Sequence, residues 1–504
     1  MPELLIILLM MLSLILLGLV IRFRPFWINP NLGGDHWYWL LCVEDVKKRR
    51  KLPPRLPYFM LEIEEQWYPP LYAGLLSLLP MKWLERHGGK LSQSVDLLQA
   101  LLIFLSVYWV SNDSIIAFLS SLSYMIAYFP MSCNIQLQPR SLANLLLTLV
   151  MVGLWFYIDT GSFAIWGGVL VISVTLLFLH KMTVQMWVIY ILGFGIRDWK
   201  ILLLLPAAVL LAIIVSKGFY IKMLRAHWDI VSFWHENINF LLGHQYYESP
   251  LYYKRDELRP IPWRHNSAKR FFLRLLGIPQ YNVFALLLLP LIYFAITHPQ
   301  GRLEIFLWTW VVLTYLWAFS TTLFPYFKAL GTGSFYVYHT YFPLFLLSGI
   351  STRFMPVSFR WWLFVFWAIS LSFSIITWMR FCKSIARSKT ASVSEDFREV
   401  LNYLKNLPKD GVFCIPFHLL DATAYWTRKK VFWGGHSYGF HKMLKPYFPI
   451  MRADVKETLR KKPLNYLLFW RGYLNSLKDI GLEEGEDIRS LFSKGEYALY
   501  EVIK

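Results

Sequence analysis

Two acidic stretches and several cations in this sequence are able to do chemistry. Gly33-Gly34-Asp35-His36-Trp37-Tyr38-Trp39 sets one carboxylate against a run of ring side chains. Such a carboxylate either caps the helix that follows it or, withdrawn from water by the rings, becomes a stronger base. Glu62-Ile63-Glu64-Glu65-Gln66-Trp67-Tyr68-Pro69-Pro70-Leu71-Tyr72 places three acids before a proline pair. They read as a solvated face or as ligands. The cations are Arg140 in Gln138-Pro139-Arg140, the pair His180-Lys181, Lys328 and His339 around Gly331-Thr332-Gly333-Ser334, and Lys254, Arg255 and Arg259. A charged pair between two apolar runs, as at His180-Lys181, is costly unless it reaches the interface or a cavity. It is either a tight hairpin with a snorkelling lysine or an anion ligand. The lone Gly-Thr-Gly is a weak phosphate signature, and His339 reads as readily as a satisfied core histidine.

The elements that must position these groups are membrane helices. Of 504 residues, 56% are hydrophobic and 16% charged, and the chain holds 23 Trp, 29 Tyr and 38 Phe. A water-soluble chain cannot cover that much apolar surface with so few charges, which excludes a soluble enzyme, a nucleic-acid-binding module and a disordered chain. Trp and Tyr favour the membrane–water boundary. The net charge is +19, but residues 390–504 hold 18 basic and 14 acidic groups, so most of the excess lies in the membrane portion. There it either anchors the chain to anionic lipid or binds lipid phosphates. Four cysteines, Cys42, Cys133, Cys382 and Cys414, show no metal-ligand spacing.

Apolar runs of spanning length predict about eleven transmembrane helices. The first, Glu3–Val20, is too long for a signal-peptide core and lacks a small-residue cleavage site, so it is expected to be a retained anchor. The next begins near Leu91, and Leu71–Leu84 reads as a short helix lying in the interface, as does the amphipathic stretch after Asp35. An odd count puts the large polar pieces on one face: residues 21–90, residues 217–279 and the tail. Short loops carrying Arg197, Lys200, Arg302, Arg353 and Arg360 mark the cytoplasmic side, although Arg22, Arg24 and the basic run 47–51 fall outside. The expectation is a polytopic α-helical module, 1–389, with an extracytoplasmic α/β domain, 390–504. In the tail, helices are predicted at Glu395–Asn406, Asp421–Thr427 and Asp487–Ser493, and strands at Gly411–Ile415, Val431–Trp433, Tyr466–Phe469 and Glu496–Val502.

One spanning helix, an outside loop opening with an acid among aromatics, and Tyr68-Pro69-Pro70-Leu71-Tyr72 before an apolar helix together resemble the GT-C glycosyltransferases. Tyr338-His339-Thr340-Tyr341-Phe342-Pro343-Leu344 resembles that family's late "RY…P" segment. Tyr403–Pro408, Val412–Pro416 and Tyr425–Lys430 resemble its extracytoplasmic domain. The nearest layouts are the protein mannosyltransferase and aminoarabinose transferase branches.

The resemblance implies sugar transfer from a polyprenyl-phosphate donor to a glycan, lipid or protein hydroxyl, at a cytoplasmic membrane, with the N-terminus inside and the tail outside. Asp35 would be the general base. Arg140, His180, Lys181, Lys328 and His339 would bind the donor phosphate, where charge develops on the leaving group. His36, Glu64, Glu65, Tyr68, Lys254, Arg255 and Arg259 are acceptor-side or loop candidates. Residues 131–140 contain no acid, so the family's DxD metal motif is missing there, and the tail lacks WWDYG; both argue against N-glycosylation. No metal is expected: Mg or Mn would have only Asp35 with Glu62, Glu64 or Glu65 as oxygen ligands. The competing readings are a lipid-linked sugar flippase, which internal repeats would favour, and an O-antigen polymerase or ligase, whose main polar loop lies late in the chain.

Overall fold

A computed structural model describes residues 2–30, 33–238, 277–278, 281–331, 333–387, 393–432, 434–435, 438–447, 452–474 and 476–504. Lys254, Arg255 and Arg259, with most of the expected loop 217–279, lie outside the described residues.

The unbroken apolar start of the chain forms helix α1, Pro2–Ile28. It exposes Leu4, Leu5, Leu8, Leu9, Leu12 and Leu16, as a helix against lipid must. Its polar end is not loop: Arg22 lies within α1, fully buried, against Asp96 at 2.8 Å. The expected outside position of Arg22 is thereby corrected, because a charge with a buried partner can sit deeper than any loop. Helix α2, His36–Arg49, follows, and then the short α3, Leu71–Leu76. The expected interfacial helix to Leu84 ends here, because Pro80 disfavours helix before it and caps α4, Met81–Ser111. The first ten residues of α4 therefore belong to a membrane-length helix, not to the outside loop.

After α4 come α5, Ser114–Ile126, α6, Tyr128–Cys133, α7, Arg140–Thr160, α8, Phe163–Leu177, and α9, Lys181–Gly195. Among the described residues five helices are long and apolar enough to cross a membrane, or six if the bent pair Trp199–Val215 and Phe219–Glu236 is one span. Ser114–Ile126, Phe163–Leu177 and Val283–Thr297 are shorter apolar helices. Lys217 and Gly218, both at positive φ, make the 116° bend.

In the tail, Ser394 caps the helix Glu395–Lys405 through Phe397 N, and that helix buries Phe397, Val400, Leu401 and Leu404, the face its periodicity predicts. It packs on a four-stranded sheet of order β1-β2-β4-β3: β1 Val412–Ile415, β2 Tyr466–Trp470, β3 Ile488–Lys494 and β4 Tyr497–Val502. β1 and β2 are parallel and the other pairs antiparallel. Two local expectations fail. Asp487–Ser493 is mostly strand, not helix, and Val431 makes isolated bridges, to Phe59 and Val412, rather than a strand.

Those bridges tie the first loop to the tail: Val431 N donates to Tyr58 O at 2.8 Å and Met60 N to Val431 O at 3.1 Å. α2 lies beneath the tail, with Trp37 against Tyr425 and Trp426 and with Glu44 paired to Arg428 at 2.6 Å. Nine of its residues are buried, so the expected membrane-surface helix is instead covered by protein.

Candidate active site

Asp35 occupies the cap position of α2, yet its side chain makes no capping bond. Gln136 holds it instead. Gln136 Nε2 donates to Asp35 Oδ2 at 2.8 Å, and Asp35 N donates to Gln136 Oε1 at 3.3 Å. Gly33, at φ +110°, makes room: a Cβ there would lie 2.3 Å from Gln136 Cβ. The carboxylate is oriented through one oxygen, and no hydrogen bond occupies the other among the described residues.

That carboxylate lines a cavity of about 430 Å³ shared with Tyr68, Gln138, Arg140, His180 and Lys181 and walled by rings such as Trp39, Phe129 and Phe335. Arg140 begins α7 and Lys181 begins α9, so two helix N-termini meet at the cavity. Neither has a side-chain cap, leaving amide donors and the positive dipole ends for an anion. Arg140 lies over the Phe335 ring at 4.8 Å, and its buried Nε has no hydrogen-bond partner. An orphaned buried cationic donor is costly, and an anion in the cavity would satisfy it. Lys181 lies close enough to Asp35 to feel its charge. His180 Nδ1 is fixed by Thr183 Oγ1 at 3.0 Å.

Behind this wall a buried polar network sets the loop that carries Gln136. Tyr124 donates to Asp96 at 2.7 Å and Tyr338 donates to the same oxygen. Asn134 Nδ2 donates to the Tyr338 hydroxyl at 3.0 Å, and Arg22 donates to Tyr124 O at 2.8 Å. Only Ile135 separates Asn134 from Gln136, so the Arg22–Asp96 pair buttresses the Asp35 corner from within the helices.

The remaining sequence candidates separate. Lys328 is buried but does not line the cavity. His339 does not line it either, though it lies within electrostatic reach of Arg140. Its neighbour Tyr338 is the one tied to Asp96. His36 turns away from Asp35 into a second cavity, where burial pushes its imidazole down to about 4. Glu64 is exposed. Glu65 pairs with Lys222 at 2.8 Å and Glu62 with Lys442 at 2.8 Å. Neither glutamate lines the Asp35 cavity, so the alternative metal set is not assembled. No cluster of three His, Cys, Asp or Glu suited to a metal occurs among the described residues.

Sequence reasoning passed over Gln136, His227 and Asp421. Gln136 carries no charge, and its loop drew notice for lacking acids. His227, on Phe219–Glu236, sits near Lys181 with its buried Nε2 unpartnered. Asp421, on the tail helix Leu420–Thr427, faces Tyr38 and Cys42 of α2. Burial, with the charge of Asp35 adding to it, pushes Asp421 up to about 8.

No protein-family model and no curated protein sequence matches the chain. Solved structures do match in fold. ArnT from Cupriavidus metallidurans bound to undecaprenyl phosphate aligns over 97% of both chains with a TM-score of 0.59 at 11% identity. The archaeal oligosaccharyltransferase AglB from Archaeoglobus fulgidus, in complex with an inhibitory peptide and a dolichol-phosphate, aligns over 91% of this chain and 69% of its own. Its TM-score is 0.55 at 10% identity. The A. fulgidus oligosaccharyltransferase complexed with Zn and sulfate gives 0.55 at 11% identity. The fold is GT-C-like, and the arrangement is that of a multi-helix membrane protein carrying a small α/β unit.

Proposed function

We propose that this chain is a membrane glycosyltransferase that moves a sugar from a polyprenyl-phosphate donor to a hydroxyl acceptor, with inversion, on the extracytoplasmic face. The observation that carries the reading is that Asp35, with one oxygen unengaged, shares a cavity with Lys181 and with Arg140, whose buried Nε has no hydrogen-bond partner. Lipid-phosphate ligands in the ArnT and AglB structures are consistent with it.

The donor phosphate sits between the N-termini of α7 and α9, against Arg140, Lys181 and His180. Its sugar then faces Asp35 and Tyr68. The acceptor hydroxyl gives its proton to the open oxygen of Asp35 as its own oxygen bonds to the anomeric carbon. The bond from that carbon to the phosphate oxygen breaks, and the electron pair leaves with the polyprenyl phosphate, whose growing charge meets the cations already in place. Gln136 keeps the carboxylate aimed. Residues 1–389 form the membrane module on this reading, and 390–504 cover the site from outside.

Replacing Asp35 by Asn tests it. Transfer of radiolabelled sugar from lipid-linked donor should fall by about 10²–10⁴-fold, with undecaprenyl phosphate still bound. Near-normal turnover would remove Asp35 from the mechanism.

A further inference from the structure

Phe335-Tyr336-Val337-Tyr338 reaches three separate parts of the site from one short stretch of chain. Phe335 lines the cavity, with its ring 4.8 Å from the Arg140 guanidinium. Tyr336 is buried and donates its hydroxyl hydrogen to Gln185 Oε1. Gln185 follows Lys181 by four residues on α9, so it stands on the same face one turn further along. Tyr338 serves the base instead. Its hydroxyl accepts from Asn134 Nδ2 at 3.0 Å and donates to Asp96, and Asn134 is next but one to Gln136, which holds Asp35.

This stretch is wedged between its neighbours. Gly331 has φ +146°, and a Cβ there would stand 2.7 Å from the Tyr336 hydroxyl. A Cβ at Gly333 would stand 2.0 Å from Ala318 O of the helix Arg302–Leu323. The two glycines of the weak phosphate signature therefore serve close approach. On its other side, Phe335 and Tyr338 pack with Phe129 and Cys133 in a small apolar cluster of their own, and Phe129 and Cys133 both line the cavity. Close packing of this kind transmits displacement instead of absorbing it.

We infer that Phe335–Tyr338 is a strut between the donor-phosphate cations and the base, so that a phosphate held by Arg140 and Lys181 also settles the loop 131–139 that aims Asp35. Tyr336 and Tyr338 are positioning residues: Tyr336 braces the turn that carries Lys181, and Tyr338 braces the loop that carries Gln136. The inference rests on the glycosyl-transfer reading. Its consequence is that the base is best aimed when the lipid phosphate is in place, which ties turnover to donor occupancy.

The test uses the full chain in phosphatidylcholine nanodiscs with undecaprenyl phosphate as the probe, read by titration and by hydrogen exchange of residues 131–139. In the wild type the lipid should slow exchange there by about fivefold or more, the low end of typical coupling between sites. Tyr338→Phe should abolish that slowing and leave undecaprenyl phosphate affinity near the wild-type value. Asn134→Leu cuts the same hydrogen bond from the other side and should match it, and the double variant should do no more than either alone. Tyr336→Phe should weaken undecaprenyl phosphate by about three- to tenfold, the worth of one hydrogen bond. Tyr341→Phe is the control: its hydroxyl donates to Tyr281 O at 3.0 Å, and neither residue lines the cavity, so both readings should stay as in the wild type. With radiolabelled lipid-linked donor, Tyr338→Phe should lower kcat by about ten- to a hundredfold, whereas Tyr336→Phe should act mainly on donor KM.

Slowing that persists in both Tyr338→Phe and Asn134→Leu overturns the inference. A loss of undecaprenyl phosphate affinity in Tyr338→Phe that runs with a fall in Tm also overturns it, because the residue would then serve folding alone. The failures are separable. A wild type that does not bind undecaprenyl phosphate defeats the donor reading, whereas one that binds it with no change in exchange at 131–139 defeats this inference alone.

Discussion

Gln136 grips Asp35 at two points, donating to its carboxylate at 2.8 Å and accepting from its backbone amide at 3.3 Å. One loop therefore fixes both the side chain and the main chain of Asp35, the proposed base. A neutral amide thereby takes away the rotational freedom of the carboxylate.

Removing the clamp should cost rate rather than binding. Gln136→Ala is expected to lower kcat by up to about 10²-fold, the order expected for a reacting group misplaced by an ångström, with little change in donor KM. Gln136→Glu should do worse, because it sets a second negative charge against Asp35. Gly33→Ala should reproduce the Gln136→Ala defect, since its Cβ would displace Gln136. Steady-state transfer assays separating kcat from KM decide this. A pure KM effect would contradict the positioning role.

The two cations should act on the other parameter. Arg140→Ala and Lys181→Ala are each expected to weaken undecaprenyl phosphate by roughly ten- to a hundredfold, the range of a charge-assisted hydrogen bond. Lys328→Ala, outside the cavity, should leave that affinity unchanged. Titration of the detergent-solubilised chain with undecaprenyl phosphate compares the three, and equal affinities throughout would remove Arg140 and Lys181 from the phosphate site.

How much of this was legible follows from what charge and period encode. Asp35, Arg140, His180 and Lys181 stood out because ionisable groups bordering apolar runs are expensive, and the structure collects all four around one cavity. Gln136 carries no such signal. Arg22 looked like loop because its partner, Asp96, lies in another helix, and single-segment periodicity cannot see a pairing between helices. Ile488, Leu491 and Phe492 have helical spacing, yet they form a strand. A bulge between Ser490 and Phe492 shifts the register against β4, which breaks the alternation that would have revealed it. The two glycines of α4 gave no hint of their role, because the close approach they permit is that of His36 and Phe26 from distant segments.

The Arg22–Asp96 pair, both side chains fully buried, predicts an asymmetric mutational response. Arg22→Met leaves Asp96 without its cation and should destabilise the chain by about 3–5 kcal/mol, as expected when one half of a buried pair is removed. Arg22→Met combined with Asp96→Leu should recover much of that loss, since no uncompensated charge remains. Thermal unfolding in one detergent reads both, and a double variant no more stable than the single would show that the pair contributes through shape alone.

Asp421 supplies a pH test with a definite sign. Its carboxyl is raised from 3.8 to about 8, chiefly by burial and then by the charge of Asp35. Between about pH 4 and pH 8 the folded chain therefore keeps a proton that the unfolded chain has released. Stability falls as pH rises through that window and levels off above it. Asp421→Asn, neutral at every pH, removes this contribution. It should raise Tm more at pH 8 than at pH 5, so the wild-type and variant curves draw together on the acid side. Parallel curves across the range would mean that Asp421 ionises without cost, and that the tail does not seal it against α2.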